Sequence, residues 1–341
     1  MSPIAQERWR RFRANKRGYR SMWIFFVFFA ICLGAELVAN DKPLIVSYDD
    51  ALHWPVFKMY PETTFGGEFE TEADYTDPYV IELIEESGWM LWAPIRFSYD
   101  TINYAIDGPL PAPPSAQNWL GTDDQGRDVL ANVLYGARIS ILFGFTLTIL
   151  SAIIGVWVGA VMGYRGGWID LYGQRLMEIL GNMPTLFILI ILSSLVTPGF
   201  WMLLGILLIF GWMGFVGPVR AEFLRTRNLD YVRAAKVLGV SDRTIMFKHI
   251  LPNAMVATLT FMPFTLGGSI TTLTALDFLG FGLPVGSPSL GTLLAQGKNN
   301  LQAPWLGITA FMVLSVLLAL LVMVGEAVRD AFDPNRQDQG Q

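Results

Sequence analysis

The sequence predicts an all-α polytopic membrane protein with six transmembrane helices. Three observations carry that prediction: a shortage of charge, six long apolar runs, and the segregation of the charge that remains. Of 341 residues, 52% are hydrophobic and 16% charged, and the mean hydropathy is +0.42. A soluble domain carries about 25% charged residues, so much of this chain has no water to face. The single cysteine, Cys32, excludes a disulfide framework or a thiolate metal site. His53 and His249 lie too far apart in sequence to suggest a metal centre. No metal or other cofactor is expected, and nothing points to nucleic acid.

Crossing about 30 Å of hydrocarbon takes roughly 20 helical residues. The runs that meet this need are Met22–Ala39, Ile139–Tyr164, Leu171–Val196, Phe200–Val219, Met255–Phe278 and Trp305–Val328. The first is about 18 residues long, whereas signal-peptide apolar regions run about 7–15. No small-residue cleavage site precedes Asp41, so the run reads as a retained anchor.

Charge sets the expected orientation. Residues 1–20 hold seven bases against one acid, Glu7. The stretch from Asp41 to Asn118 holds fourteen acids and three bases, and that from Arg220 to Asn253 seven bases and three acids. By the positive-inside rule, the N-terminus and the 220–253 loop are cytoplasmic. Six spans return Arg329 and Arg336 to the same side. The expected organisation is a basic segment 1–21, a first helix 22–39, an acidic external segment 40–138, a five-helix core 139–328 containing the 220–253 loop, and a tail 329–341. Trp54, Trp89, Trp92 and Trp119 predict that part of the external segment is folded, since acidic disordered tails lack aromatics. Pro109–Pro114 reads as a stiff connector. A spacer or lid and a docking surface for an external partner are both open readings.

The 220–253 loop carries the most information. Asn228 to Gly239 reads as a short helix, with Asn228 or Asp230 able to cap its start and Gly239 placed for a left-handed end. Tyr231, Ala234, Ala235 and Leu238 follow the spacing of one helical face, and the two alanines let another surface approach closely. A second short helix is expected over 242–250, broken by Leu251 and Pro252. Such a pair suits a mechanical contact; an interfacial helix on the membrane surface fits the spacing equally well.

Tyr231-Val-Arg-Ala-Ala-Lys-Val-Leu-Gly239, then nine residues, then His249-Ile-Leu-Pro-Asn253 resembles the EAA loop of bacterial ABC-importer permeases. The His-Ile-Leu-Pro-Asn form resembles the dipeptide and oligopeptide branch, although Arg233 stands where the general motif has Glu. Leu120–Leu130, Tyr135–Ser140, Gly163–Asp170, Glu178 six residues before Pro184, and Phe278–Gly282 are similar to the same branch. The resemblance implies a type I importer permease fold with an external insertion after the first helix. It also implies that Tyr231, Ala234, Ala235, Leu238, Gly239, His249 and Pro252 transmit ATPase closure. The partners it implies are cytosolic ATP-binding-cassette ATPases, a second permease subunit of different sequence, and a periplasmic substrate-binding protein met at 41–138 and Ser287–Trp305. The implied setting is the inner membrane of a Gram-negative bacterium, and the implied cargo is a peptide or peptide-like compound.

Other signals are weaker. Gly291–Asn299 has one residue too many for a P-loop and no Ser or Thr after its lysine, so ATP hydrolysis is not expected here. No nucleophile–base set stands out. Gly155, Gly159 and Gly163 repeat the GxxxG spacing that lets helices approach. Pro184, Pro198, Pro218 and Pro263 are expected to kink or end spans. Among acids within spans, which are costly, Glu36 lies near a span end, Glu178 can pair with Arg175, and Asp277 can line the path and meet a cationic group. The rival reading is a secondary transporter or channel, but no repeat between the halves supports it.

Overall fold

A computed structural model of the chain describes residues 3–196 and 198–332; Arg336 and the rest of the tail beyond Phe332 lie outside the described residues. Helix α1 (Pro3–Ala14) leads into α2 (Lys16–Leu33), whose first turn is capped by Asn15 accepting the Gly18 N–H at 3.2 Å. Lys16, Arg17 and Arg20 occupy the start of α2, so its apolar part begins at Met22. Gly34 interrupts it, and a single turn, α3 (Ala35–Val38), completes the first run.

The segment that follows folds around its own small core. Strands β1 (Ile45–Tyr48) and β2 (Ala51–His53) form a hairpin over Asp49 and Asp50, whose φ of +48° and +58° suit a tight hairpin turn. Helix α4 (Pro78–Ser87) then leads into β3 (Gly88–Leu91), giving an antiparallel sheet of order β2-β1-β3. Val46, Phe65, Tyr75, Val80 and Ile84 are buried together beneath it. The sheet is an addition to the expected all-α architecture, and it explains why this acidic stretch needs aromatics. The chain then returns to the end of the first span. Ile95 donates to the Val38 carbonyl and accepts from Asn40, both at 3.0 Å.

The remaining chain is helical. Helix α5 (Val129–Arg165) is followed by α6 (Gly167–Gly181), α7 (Thr185–Leu195), α8 (Phe200–Gly211), α9 (Met213–Thr226), the short α10 (Asp230–Val237) and α11 (Asp242–Thr244). A π-helical turn (Ile245–Ile250), α12 (Leu251–Phe278), α13 (Leu290–Asn299) and α14 (Pro304–Phe332) complete it. Among the described residues, four continuous helices are long and apolar enough to cross a membrane: Val129–Arg165, Phe200–Thr226, Asp242–Phe278 and Pro304–Phe332. Counted as one broken span, the α6 and α7 pair, bent by 62° around Asn182–Pro184, makes a fifth. The three cations at its start set α2 apart from these five.

Two boundaries differ from expectation. The helix that carries the second apolar run begins at Val129, ten residues before Ile139, and at 37 residues it is about 55 Å long. Its polar start is stabilised within the fold: Asp128 caps it by accepting the Ala131 N–H at 2.7 Å, and Arg138 pairs with Glu36 at 2.6 Å. The short helix expected over 242–250 is not broken at Leu251 and Pro252; Asp242–Phe278 runs on without interruption. The π-turn is the reason. Leu251 donates to Met246, five residues back, and this widened turn precedes the proline that has no N–H to give.

Candidate coupling element and translocation path

Helix α10 stands at the end of the bundle, between α9 and the π-turn. Neither expected residue caps its start. Leu229 occupies the cap position without a side-chain hydrogen bond, and Asn228 instead donates backward to the Leu224 carbonyl at 3.2 Å, closing α9. Asp230, the first helical residue, places its charge at the positive end of the helix dipole. The other end is closed by a Schellman motif. Val240 donates to Ala235 and Gly239 to Lys236, at 3.0 and 3.1 Å, with Gly239 at φ +79°.

One residue anchors α10. Val232 is 2% exposed and packs with Val219, Phe223, Ile245, Ile250 and Ala254; Ala235 and Val240 flank that cluster. Ala234 and Leu238 therefore face away from the chain, Leu238 at 81% exposure, and Tyr231 is half-exposed beside them. Val237, at 88%, is more exposed still. The periodicity marked a stripe but not which side of it would be buried, so Val232 and Val237 were missed. The Tyr231 hydroxyl donates to the His249 carbonyl at 3.4 Å, and His249 and Pro252 are exposed beside it.

Several contacts fix this pair of elements to the ends of the long helices. Arg227 donates to the carbonyls of Gly163 and Tyr164, at 3.0 and 3.2 Å, placing a cation at the negative end of α5. Gly166, at φ +64°, leaves room for it, since a Cβ there would sit 2.7 Å from the guanidinium. The Tyr164 hydroxyl donates to Asp242 at 2.5 Å. Arg220 grips Asp170 with two bonds of 2.5 and 2.6 Å, joining α9 to the first turn of α6. Along the same crossing, Gly155, Gly159 and Gly163 of α5 meet α9. Added Cβ atoms would lie 2.7 Å from Phe215 Cβ, 2.9 Å from the Val216 carbonyl and 2.6 Å from Phe223 Cβ.

The two acids expected along the path have different surroundings. Glu178 is exposed on α6 and pairs with Arg175 at 2.5 Å, just before the break at Pro184. Asp277 is 5% exposed. Its carboxylate accepts the Leu283 N–H at 2.7 Å and the Ser289 hydroxyl at 2.5 Å. Ser289 in turn accepts the Gly291 N–H at 3.0 Å, capping α13, and its own N–H donates to Asn132. Asp277 thus does not face an open path within this chain: both oxygens tie α12 to the loop before α13. Composition could not show this, because the partners lie 6 and 12 residues on, beyond one helical turn.

Comparison with known proteins accounts for the bundle. Residues 155–338 match the family described as binding-protein-dependent transport system inner membrane component, and residues 2–55 match the N-terminal TM domain of oligopeptide transport permease C. The chain belongs to this family of ABC-importer permeases. It is 63% identical over 336 residues to the inner membrane ABC transporter permease protein YejE of Escherichia coli K12, covering 98% of both chains. It is 56% identical to the peptidoglycan transport system permease protein YejE of Agrobacterium fabrum, over 98% of this chain and 94% of that one. The oligopeptide transport system permease protein OppC of Bacillus subtilis is 35% identical over 72% of this chain and 80% of its own. This permease is therefore a membrane-spanning transport subunit. Membership implies work with ATPases and substrate-binding proteins.

Proposed function

We propose that this permease supplies one half of the pathway by which a peptide or peptide-like compound enters the cytoplasm, with ATP hydrolysis on separate subunits. In this reading 1–21, 220–253 and 329–341 lie in the cytoplasm and 40–138 in the periplasm of a Gram-negative cell; the excess of bases in the first two segments supports the orientation, and the inner-membrane relative of Escherichia coli supports the setting. The second permease is a different chain. The names of the Agrobacterium fabrum and Bacillus subtilis relatives, for peptidoglycan and oligopeptide transport, support cargo of this class. The sheet-containing segment and the Ser287–Trp305 loop receive the binding protein. Tyr231, Ala234, Ala235, Leu238, Gly239, His249 and Pro252 form the coupling element, and Gly155, Gly159 and Gly163 the packing seam behind it. Glu178 belongs to the pathway side of α6, and Asp277 acts on the path by holding the loop before α13.

The observation that carries this reading is the tip of α10. Its aliphatic residues Val237 and Leu238 are almost fully exposed, on a helix closed by a Schellman motif and anchored through Val232. A rigid, apolar and unpartnered tip suits insertion into a groove on an ATPase. ATPase closure would then move α9 and α12 together through Arg227, Tyr164 and the π-turn. Leu238→Asp puts a charge into that groove. It is expected to reduce co-purification of the ATPase by roughly tenfold or more, since burying an unpaired carboxylate costs well over 1.4 kcal/mol. Undiminished ATPase recovery with the variant would rule out α10 as the coupling contact.

A further inference from the structure

A groove of about 790 Å³ runs between α5 and the Asp242–Phe278 helix, sharing Phe223 with the cluster that anchors α10. Its walls are aliphatic and aromatic, with Ile149 at one end, and Ile153 and Trp157 along it are each more than 60% exposed. The hydroxyl of Thr258, also on the wall, donates to the Ala254 carbonyl at 3.3 Å and so makes no demand on an occupant. Two cations stand in the lining at the other end: Arg165, the last residue of α5, and Arg243, in α11. Among the described residues neither forms an ion pair. From Arg165 to Ile149 the groove follows sixteen residues of α5, about 24 Å. That exceeds the roughly 15 Å of hydrocarbon in one leaflet.

We propose that this groove binds an anionic phospholipid of the cytoplasmic leaflet, with its acyl chain along α5 and its phosphate between Arg165 and Arg243. The length and the apolar walls fit an acyl chain. Guanidinium groups bind phosphate oxygens in pairs of charge-assisted bonds, and basic pockets at the cytoplasmic ends of helices select anionic headgroups. A helix from a partner subunit would fill the apolar part but would leave two arginines without counter-charge. The bound lipid would also lie against Met246 and Phe247 of the π-turn, so its presence would brace the segment that joins α10 to α12. The leaflet rests on the orientation proposed above; the groove and its two arginines do not.

The test is lipid retention by the assembled transporter, measured by native mass spectrometry after reconstitution with phosphatidylglycerol and phosphatidylcholine in equal amounts. Wild type is expected to retain phosphatidylglycerol selectively, with no competition from millimolar inorganic phosphate. R165Q/R243Q is expected to lose that selectivity, with retention weakened on the order of thirty-fold for two arginines. Ile153→Trp, at an exposed wall position, narrows the groove without touching the charges and is expected to lower retention as well. Equal phosphatidylglycerol retention by wild type and R165Q/R243Q overturns the proposal. So does efficient cross-linking of Trp157→Cys to the second permease, which would make the groove a subunit seat, and so does displacement by phosphate alone. External labelling of Arg165→Cys overturns the assigned leaflet. Because the readout is bound lipid, loss of ATPase coupling at α10 leaves it unchanged, and the two readings fail separately.

Discussion

Helices α5 and α6 are consecutive, apolar and separated by one residue, yet they take opposite places in the fold. Twenty-one residues of α5 are buried, many of them against α9, α12 and α13. No residue of α6 is buried, and Trp168, Tyr172, Leu176 and Ile179 lie exposed along it. The difference is one of side-chain size at the contact. Gly155, Gly159 and Gly163 remove the bulk that would hold α9 away, whereas near Gly173 of α6 it is the side chain of Met162 that lies against the helix. In lipid there is no hydrophobic drive between helices, so close packing decides which of them associate. The α5 and α9 seam is the chain's own core. Helix α6 is held at one end by Asp170 and Arg220 and presents the rest of its surface to whatever lies outside the chain, whereas α7 returns to the core through Leu189, buried with Phe143 and Leu203.

The strongest way to break this contrast is to give the seam the bulk it lacks. Gly159→Leu forces side-chain atoms into the Val216 carbonyl and the Val219 side chain, with no flexible neighbour to yield. It is expected to cost about 3 kcal/mol or more, read as a fall in the thermal midpoint of the purified permease in detergent. Gly181→Leu in α6, where no heavy atom lies within 4 Å of an added Cβ, is the matched control and is expected to leave the midpoint almost unmoved. Equal losses from the two would show that the seam does not organise the fold.

A smaller effect is expected at Asp277, which separates a structural acid from a path-lining one. Asp277→Ala strands the Leu283 N–H and the Ser289 hydroxyl in a buried site, at about 1–3 kcal/mol. Asp277→Asn keeps a carbonyl acceptor and is expected to lose less, with transport falling in proportion to the folded fraction. A fall in substrate affinity with unchanged stability would return Asp277 to the path.

How far each feature was legible follows from the range of the physics behind it. The long apolar runs, the left-handed Gly239 and the Arg175–Glu178 pair depend on residues within one or two turns, and the sequence states them directly. The start of α5 at Val129 was hidden because it rests on Asn118 and Glu36, which lie outside the helix. Asn118 donates to Asp128 at 2.9 Å, and Glu36 pairs with Arg138. Burial raises the Asp128 carboxyl above its ordinary range, so this cap depends on hydrogen bonds brought from elsewhere in the fold. The continuity through Pro252 was hidden by a rule that is correct for α-helices and is evaded by one π-turn. Similarly, the stripe on α10 was visible from spacing. Its outward direction was decided by Val232 meeting Phe223 and Ile250, contacts that no local pattern encodes.

The smallest effect expected on the chain itself sharpens the comparison most, because it asks what α6 is for. Tyr172 and Ile179, two turns apart on α6, are each more than 60% exposed. Replacing both by Ala removes apolar surface that the chain does not use, and the stability of the isolated permease is expected to change by no more than about 0.5 kcal/mol per site. If this face seats the second permease, the same variant is expected to lower the yield of the two-permease complex several-fold at equal expression. If lipid alone covers it, complex yield and isolated stability will both stay at wild-type levels. The exposed face of α6 would then be only a membrane surface, and the subunit contact would have to be sought on α7 or α8.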